Sequence, residues 1–493
     1  MYLAKCFIIV CAVIVFLPFI ASAQFTNGQA ASGVIGQKSF TLSGQNNVDS
    51  LGLNSPNAVA VNPISGVVYV ADTYNNRVLR YPNAASYVAG TGAVGVLGQP
   101  DFYSSNDACA QSGMSAPEGA TVDKSGNLYV ADVNNSRVLK FTNADSKANG
   151  ANADAVLGQA DFTSKIPATT QSGMIYPDGV AADGLGNLYV ADGHNNRVLK
   201  FTNAASKANG ANADAVLGQT DFSSGTAAFT QSRMGNPTSV AVDGLGNLYV
   251  VDNSYSRILK FTNAASKTNG ANADAVFGQA NFTSANTDCT QSTMDNPNGV
   301  AVDGLGNLYV ADQGNSRVLI FTKAASKANG ANADAVLGQT DFTSGAGGTT
   351  QIYLRHPSCV ATNNSAGKLY VADNGNNRVL VFSASSSITS VENISQGVIP
   401  NSYSLNQNYP NPYNPLTTIE YGLPARSTIR LVIYNVLGQV VKELINSEQQ
   451  AGVQTVVWNA NVSSGIYFYR LEATSLDSPS KRFVETKKML LLK

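Results

Sequence analysis

Hydrophobic positions in most of this chain fall in short runs separated by polar turn sequences. One stretch shows the pattern clearly: Gly179 to Ala182 and Leu188 to Ala191 are apolar runs, and Asp183 to Asn187 separates them. Arg197 to Phe201 and Ala215 to Gly218 are two further runs. Short runs bounded by Gly, Asn and Asp predict antiparallel β-strands. No apolar stripe with a 3.6-residue period occurs here, which excludes a helical solenoid.

This four-strand pattern recurs six times between residues 33 and 382. Each copy contains an Asp, four variable residues and an Arg, with a spacing of 60 residues that becomes 61 at the last step. A landmark proline precedes each pair, and a segment of the Val-Leu-Gly-Gln type forms a fourth strand. Six such units predict an all-β fold, a six-bladed β-propeller. The pairs are Asp72/Arg77, Asp132/Arg137, Asp192/Arg197, Asp252/Arg257, Asp312/Arg317 and Asp373/Arg378.

The two ends of the repeat region are offset from each other. The first Gly-Gln segment, Val34 to Gln37, lies before the first Asp/Arg pair, and none follows the last pair. A complete sixth blade therefore needs an N-terminal strand, expected at residues 33–40, to pair with the strands at the other end of the chain. Such a closure removes the open sheet edges of the ring.

The repeated motif also resembles a known family. Residues 191–198 read Ala-Asp-Gly-His-Asn-Asn-Arg-Val, which is similar to the NHL repeat. The resemblance extends over roughly 350 residues and implies a propeller. At 60 residues, the blades are longer than the usual NHL unit, and the excess lies in loops.

The N-terminus reads as an export signal. Lys5 precedes an apolar run from Cys6 to Ile20, and Ala21-Ser22-Ala23 forms a small-residue cleavage site. We therefore expect a signal peptide at residues 1–23 and a mature propeller at residues 24–382. No later segment is long and apolar enough to span a bilayer, so the mature protein is not expected to cross a membrane.

The composition changes after the propeller. Residues 383–400 form a Ser-rich linker, and residues 401–493 carry about seven short strand-like runs, which predict an Ig-like β-sandwich. This module resembles the type A C-terminal sorting domain of type IX secretion. The resemblance implies export through the periplasm, the secretion machinery as partner, and a cell-surface or secreted location. The residues that carry it include Asn408, Pro410, Asn411, Pro412, Gly438, Gly465, Lys487 and Lys488.

The charge balance and the cysteine content argue against two classes of protein, nucleic-acid binders and disulfide scaffolds. Lys plus Arg is 31 and Asp plus Glu is 32, so no field attracts nucleic acid, and we expect no nucleic-acid partner. The mature chain keeps Cys109, Cys289 and Cys359, an odd number that does not suit a disulfide scaffold. Cys109 and Cys289 lie in the second and fifth blades, too far apart for a bridge.

Few residues suit catalysis. The only histidines are His194 and His356, which occupy different phases of the repeat, and neither Cys109 nor Cys289 has a recognisable base nearby. The six Asp/Arg pairs are better interpreted as structural, because functional sites are usually singular whereas these pairs are repeated. We therefore predict that the protein is not an enzyme.

The residue after each landmark proline is expected to line one mouth of the central channel. These residues are Asn57, Glu118, Asp178, Thr238, Asn298 and Ser358. Glu118 and Asp178 come from neighbouring blades, and oxygen ligands suit Ca²⁺. With two carboxylates, an ordinary water-filled mouth without a cofactor is the favoured interpretation, and a Ca²⁺ site is the alternative.

Comparison of the blades indicates where a ligand would bind. The loop Thr202 to Gly210 is nearly identical in blades two to five, and we call it the uniform loop. The loops after the Gly-Gln strand and the turns between Asp and Arg differ from blade to blade. Strand alternation puts both of these on one side, which we call the variable-loop face. Candidate contact residues there are Tyr74, Tyr103, His194, Arg233, Tyr255, Tyr353 and Arg355.

These observations predict a secreted or cell-surface recognition protein that binds an extracellular protein or glycan. Two alternatives remain. One is a metal-assisted hydrolase or lyase with its site at the channel mouth, and the other is a structural surface component.

Overall fold

A computed structural model describes residues 25–45, 47–82, 90–363, 367–384, 402–408, 411, 416–460, 462–476 and 482–492. The predicted signal peptide, residues 385–400 of the predicted linker, Pro410 and Pro412 lie outside the described residues. The chain divides into two compact units between Ser387 and Ile388. Among the described residues, the helical elements are short 3₁₀ turns, and none has the length or apolar character needed to cross a membrane.

The first unit contains six four-stranded antiparallel sheets, one per blade. The first three are β2–β5 (Pro56–Val61, Val68–Asp72, Arg77–Tyr81, Gly95–Leu97), β6–β9 (Pro117–Val122, Leu128–Asp132, Arg137–Phe141, Ala155–Leu157) and β10–β13 (Pro177–Ala182, Leu188–Asp192, Arg197–Phe201, Ala215–Leu217). The next two are β14–β17 (Pro237–Val242, Leu248–Asp252, Arg257–Phe261, Ala275–Phe277) and β18–β21 (Pro297–Val302, Leu308–Asp312, Arg317–Phe321, Ala335–Leu337). The last combines β22–β24 (Pro357–Asn363, Lys368–Asp373, Arg378–Ser383) with β1 (Gly33–Ile35).

The hydrophobic core lies between neighbouring blades. One cluster, for example, contains Tyr189 and Val198 of the third blade together with Val240, Leu248 and Leu259 of the fourth. Because each sheet presents apolar side chains to the next, every blade buries its faces only when its neighbours are in place. The six-bladed propeller predicted from the sequence is therefore the fold of this unit.

The N-terminal strand closes the ring. In β1, Gly33 pairs with Val381 and Ile35 with Val379 of β24, so the last blade gains its fourth strand from the start of the chain. The strand is three residues long rather than the expected 33–40, because Gly36 has φ +85° and turns the backbone out of the extended region. Closure also begins earlier than expected, at Phe25, which is 5% exposed and packs edge-on against Tyr309.

The uniform loop has a structural role between blades. Asn209 Oδ1 accepts a hydrogen bond from the backbone N–H of Val156 in the preceding blade at 3.0 Å. The third blade also holds the uniform loop of the following blade, because Lys200 Nζ donates to the carbonyl of Ala265 at 2.7 Å. At the seam, Asn27 Oδ1 accepts from Val336 N at 3.0 Å, so the N-terminal segment takes the place of a uniform loop.

One hydrogen-bonding carboxylate between neighbouring blades comes from different sequence positions in the first and third blades. In the third blade, Asp183 accepts from Asn187 Nδ2 at 2.7 Å and from the Tyr189 hydroxyl at 3.4 Å, with Ala265 in the adjoining loop of the following blade. The first blade has Asn62 where the third has Asp183. There, Asp145, at the position equivalent to Ala265, accepts from Asn62 Nδ2 at 3.0 Å and from the Tyr69 hydroxyl.

This exchange yields a double-mutant prediction. Asp145→Ala should lower the free energy of unfolding of the propeller by about 1–3 kcal/mol, because the Tyr69 hydroxyl and the Asn62 amide lose their acceptor. Adding Asn62→Asp should restore most of the loss by recreating the arrangement of the third blade. Urea unfolding of the four proteins of the cycle measures the coupling. Additive effects of the two substitutions would show that the interpretation is wrong.

The second unit has two sheets. The first contains β25 (Ser404–Leu405), β26 (Leu416–Leu423) and β29 (Gly452–Asn459), and the second contains β27 (Ser427–Tyr434), β28 (Val440–Gln449), β30 (Gly465–Ser475) and β31 (Arg482–Leu491). Ile419, Trp458, Tyr469 and Leu471 are among the buried residues of a single core. Two antiparallel sheets around one core form the predicted sandwich.

Candidate ligand-binding face and channel mouth

Strand register fixes which loops share a face. In the third blade, Pro177 pairs with Asp192 at one end of the sheet, and Leu188 pairs with Phe201 at the other. The turn between Asp and Arg therefore lies at the end where the inner strand begins and the outer strand finishes. The uniform loop lies at the opposite end. Both kinds of variable loop consequently meet on one face of the propeller.

Each Asp/Arg pair is a buried hub beneath that face. Arg197 Nε donates to Asp192 Oδ2 at 2.7 Å, and both side chains are fully buried. The guanidinium also donates to the carbonyls of Phe222, Thr170 and Gly173 at 2.5–2.9 Å. The other five Arg residues form the same ion pair, at 2.6–2.7 Å. Each hub thus ties two variable loops to its own turn, and the buried charge is used inside the fold.

The candidate contact residues differ in how accessible they are. Tyr74 and Tyr103 are 65% and 78% exposed, and His194 and Arg355 are also exposed. Tyr353 is half-buried. The structure therefore brings these residues to one face, but it does not gather them into a single cluster.

Two further candidates are partly held by neighbours. Arg233 is half-buried, with Nη1 3.4 Å from both Gln219 Oε1 and the Thr226 carbonyl. Tyr255 has its ring centroid 5.1 Å from that of Phe229, and the Arg257 guanidinium lies 5.5 Å from the Tyr255 centroid. Both side chains are accordingly less free to rearrange around a ligand than Tyr74 or Tyr103.

Sequence reasoning missed three apolar residues of the face: Ile166, Tyr176 and Phe229 are 74%, 36% and 44% exposed. The Tyr176 ring contacts that of His194 edge-on, with centroids 4.7 Å apart. The signal for Tyr176 was its position immediately before a landmark proline. Six residues occupy this position with φ of 45–51°, namely Ser55, Ala116, Tyr176, Asn236, Asn296 and His356. Asn tolerates this left-handed conformation, whereas a bulky Tyr is strained in it.

The predicted channel mouth is present, and both of its carboxylates line the same cavity. Burial raises the pKa of Glu118 to about 7. Burial, and then the neighbouring Glu118, raise the pKa of Asp178. No cluster of three or more His, Cys, Asp or Glu side chains in the described part of the chain could hold a metal ion. The channel mouth therefore contains two carboxyl groups that are largely shielded from water.

The raised pKa of Glu118 predicts a pH dependence. An unfolded Glu releases its proton at about pH 4.3, whereas the folded one retains it to about pH 7, so stability falls as pH rises through this window. Glu118→Gln should reduce this loss by on the order of 1–3 kcal/mol, because the glutamine has no proton to lose. Urea unfolding at about pH 4.5 and about pH 7.5 measures the difference. Equal pH slopes in wild type and variant would contradict the prediction.

The three cysteines in the described part of the chain form no disulfide. Cys109, Cys289 and Cys359 are free thiols. Cys109 Sγ lies 3.3 Å from the Thr163 carbonyl, and Cys289 Sγ lies 3.3 Å from the Ser344 carbonyl. Burial raises the pKa of both thiols, which makes each a poorer nucleophile.

The described sorting residues bring the two ends of the second unit together. Asn408 is buried, and its backbone N–H donates to the Tyr469 hydroxyl at 2.8 Å. Asn411 Oδ1 accepts from Leu490 N at 2.9 Å, and the Lys488 carbonyl accepts from Gln407 Nε2 at 2.8 Å. Gly438 has φ +76° in a turn, Gly465 begins β30, and Lys487 pairs with Glu485 at 3.1 Å. The motif residues therefore fix the first segment of the sandwich to its last strand.

Three family profiles match the chain. The Teneurin NHL domain matches residues 124–383, the SMP-30/Gluconolactonase/LRE-like region matches residues 26–152, and the Secretion system C-terminal sorting domain matches residues 407–485. The sorting domain shows that the protein is exported by type IX secretion to the cell surface or the extracellular space.

Curated relatives include Teneurin-3 of Mus musculus, 25% identical over 311 residues, which covers 57% of this chain and 11% of the relative. Teneurin-3 of Danio rerio is 26% identical over 293 residues, with 53% and 10% covered. The chain thus spans about a tenth of the length of the curated relatives it matches. Among solved structures, the hydrazine synthase of Kuenenia stuttgartiensis aligns with a TM-score of 0.42 and 12% identity, covering 68% of this chain and 97% of that chain.

Proposed function

The chain belongs to the family of the Teneurin NHL domain, and on that premise we propose that its propeller is a recognition module that binds an extracellular protein or glycan through the variable-loop face. The observation that carries this proposal is the difference between the two faces. The uniform loops are engaged in holding blades together, whereas the variable loops present exposed aromatic and cationic side chains.

Strain at Tyr176 supports the same face. Two other blades have Asn at this position, where the left-handed backbone costs little, and a tyrosine there is maintained at a cost in stability. Its ring and that of His194 form a projecting aromatic pair. Residues that are strained but exposed are characteristic of binding sites, in which stability is given up for contact.

The test combines binding with stability. An array of extracellular proteins and glycans is probed with the full chain and with Tyr176→Asn. We expect ligands that bind the wild-type chain and bind the variant at least about tenfold more weakly, while the free energy of unfolding stays the same or rises by up to about 1 kcal/mol. A ligand that binds both proteins equally would contradict a role for this residue, and an array without ligands would contradict the proposal as a whole.

A second candidate function rests on a different observation. The match of residues 26–152 to the SMP-30/Gluconolactonase/LRE-like region, together with the two carboxylates of the channel, favours a Ca²⁺-assisted hydrolase. Hydrolysis of a panel of lactones with and without Ca²⁺, in wild type and in Glu118→Gln, tests this alternative. Ca²⁺-dependent turnover that the variant loses would favour the hydrolase, and absence of turnover would remove it.

A further inference from the structure

The channel continues into a second cavity on the face that carries the uniform loops. The volume of this cavity is about 580 Å³, within the roughly 300–1,000 Å³ of pockets that enclose small-molecule ligands. We call it the apolar funnel, because six residues at the ends of the inner strands line both the channel and this cavity, and most of them are aliphatic: Val61, Val122, Ala182, Val242, Val302 and Thr362.

The rim of the apolar funnel carries large aliphatic side chains that are exposed to solvent. Leu185 and Leu245 line the cavity and are 72% and 78% exposed. Ile64 and Leu305 occupy the same position of the turn in two other blades and are 71% and 47% exposed. Side chains this exposed bury little area in the propeller core, and a group of them on one surface indicates a binding site.

The second blade shows that the turn itself does not require these leucines. It has Ser125 where the third blade has Leu185. The Ser125 backbone N–H donates to Asp123 Oδ1 at 2.8 Å, and the Leu185 backbone N–H donates to Asp183 Oδ1 at the same distance. Because the turn forms the same bond with serine as with leucine, the aliphatic side chains contribute something other than the fold.

The same turn of the second blade brings a cation to the apolar funnel. Lys124 lines the cavity, is exposed, and forms no ion pair or hydrogen bond with any residue in the described part of the chain. A Cβ added to Gly184 would lie 2.7 Å from Lys124 Nζ, so the ammonium group lies over the turn that carries Leu185. The next three blades have glycine in place of this lysine, at Gly184, Gly244 and Gly304.

The aspartates at the rim are already engaged by their own turns. Asp183 Oδ1 accepts from the backbone N–H of Leu185 and of Asn187 at 2.8 and 2.9 Å, and Asp183 Oδ2 accepts from Asn187 Nδ2 at 2.7 Å. Among the described residues that line the cavity, Lys124 is the only cation. The apolar funnel therefore combines aliphatic walls with one ammonium group that is available to a ligand.

We propose that the apolar funnel binds an aliphatic carboxylate, with its alkyl chain against Leu185 and Leu245 and its carboxylate at Lys124. Moving an alkyl chain from water to an apolar surface is favourable in proportion to the area buried. An ammonium group donates charge-assisted hydrogen bonds to a carboxylate. Because the apolar funnel lies on the opposite face, this binding is separate from the recognition that we propose for the variable-loop face.

A lipid bilayer is the competing occupant, because exposed aliphatic side chains also insert into membranes. Peripheral docking on anionic lipid combines such insertion with a group of free basic residues. Four lysines of the uniform loops are instead paired with aspartates at 2.8–3.0 Å, namely Lys147, Lys207, Lys267 and Lys327. These pairs add little net charge to the face, whereas a single unpaired lysine beside a cavity suits a single carboxylate.

Equilibrium dialysis of the full chain against radiolabelled octanoate, butyrate and octan-1-ol tests the proposal. We expect saturable binding of octanoate, and butyrate should bind at least about tenfold more weakly because it buries fewer methylene groups. Leu185→Ser/Leu245→Ser, which introduces the serine of the second blade, should weaken binding of octanoate and octan-1-ol at least about tenfold. Urea unfolding of this variant should match that of wild type.

Two lysine variants test the role of the ammonium group. Lys124→Gly, which introduces the glycine of the next three blades, should weaken octanoate binding by about two- to fivefold and leave octan-1-ol binding unchanged. Lys207→Gly is the matched control, because Lys207 belongs to a uniform loop of the same face and does not line the cavity. We expect it to bind octanoate as wild type does.

Three results would overturn the proposal. The first is the absence of saturable octanoate binding by the wild-type chain. The second is equal weakening of octanoate binding by Lys124→Gly and Lys207→Gly, which would show a general effect of charge. The third is co-sedimentation with phosphatidylcholine/phosphatidylglycerol vesicles that Leu185→Ser/Leu245→Ser abolishes while octanoate does not compete, which would assign the leucines to a lipid surface.

Discussion

Replacing Arg197 with alanine should lower the free energy of unfolding of the propeller by about 3–5 kcal/mol. The substitution leaves the fully buried Asp192 carboxylate without its cation and removes the donor from the carbonyls of Phe222, Thr170 and Gly173. Arg197→Lys should recover part of the loss, since an ammonium keeps the charge but lacks the planar fork that reaches several acceptors. Urea unfolding followed by circular dichroism measures both effects.

A matched control for this prediction lies on the opposite face. Lys207 pairs with Asp214 at 2.8 Å, and the two side chains are 21% and 40% exposed. Because water screens such a pair, Lys207→Ala should cost less than about 1 kcal/mol. If Arg197→Ala cost no more than Lys207→Ala, the buried hub would not stabilise the propeller in the way described.

The second large effect is expected at the seam of the ring. Phe25→Ala should lower the free energy of unfolding by about 3–5 kcal/mol, because it leaves a cavity where the N-terminal segment packs against Tyr309 in a buried cluster that includes Ile320. Phe229→Ala provides the control: it removes the same side chain from a position 44% exposed on the variable-loop face and should cost less than about 1 kcal/mol. Equal losses from the two substitutions would contradict the proposed closure.

Much of the architecture could be predicted because the same sequence landmarks recur in all six blades. The regular return of Asp, Arg and the landmark proline defined the blades, and the offset between landmarks required the N-terminal strand. The start of closure at Phe25 was missed, although the sequence carried a signal. Lys140, Lys200 and Lys260 each donate to a carbonyl of the next uniform loop, whereas Ile320 occupies that position where no such loop follows and packs near Phe25 instead.

The site was less predictable, because its chemistry depends on departures from the repeat rather than on the repeat itself. Glu118 and Asp178 could be predicted at the channel mouth because each follows a landmark proline, but Gly193 looked like an ordinary turn glycine. Only the structure shows that its missing Cβ makes room for Asp178 Oδ2. Likewise, the contact between Tyr176 and His194 joins residues eighteen positions apart in the sequence, which no local pattern reports.

The most direct test of the central claim compares the two faces of the propeller with one ligand taken from the array. One variant replaces Tyr74, Tyr103 and Tyr255 of the variable-loop face by serine, and the other replaces the exposed Ile64, Leu185 and Leu245 of the opposite face by serine. Binding affinity is measured for both variants and the wild-type chain. Recognition through the variable-loop face predicts a loss of at least about tenfold in the first variant and unchanged affinity in the second. The reverse pattern would contradict it.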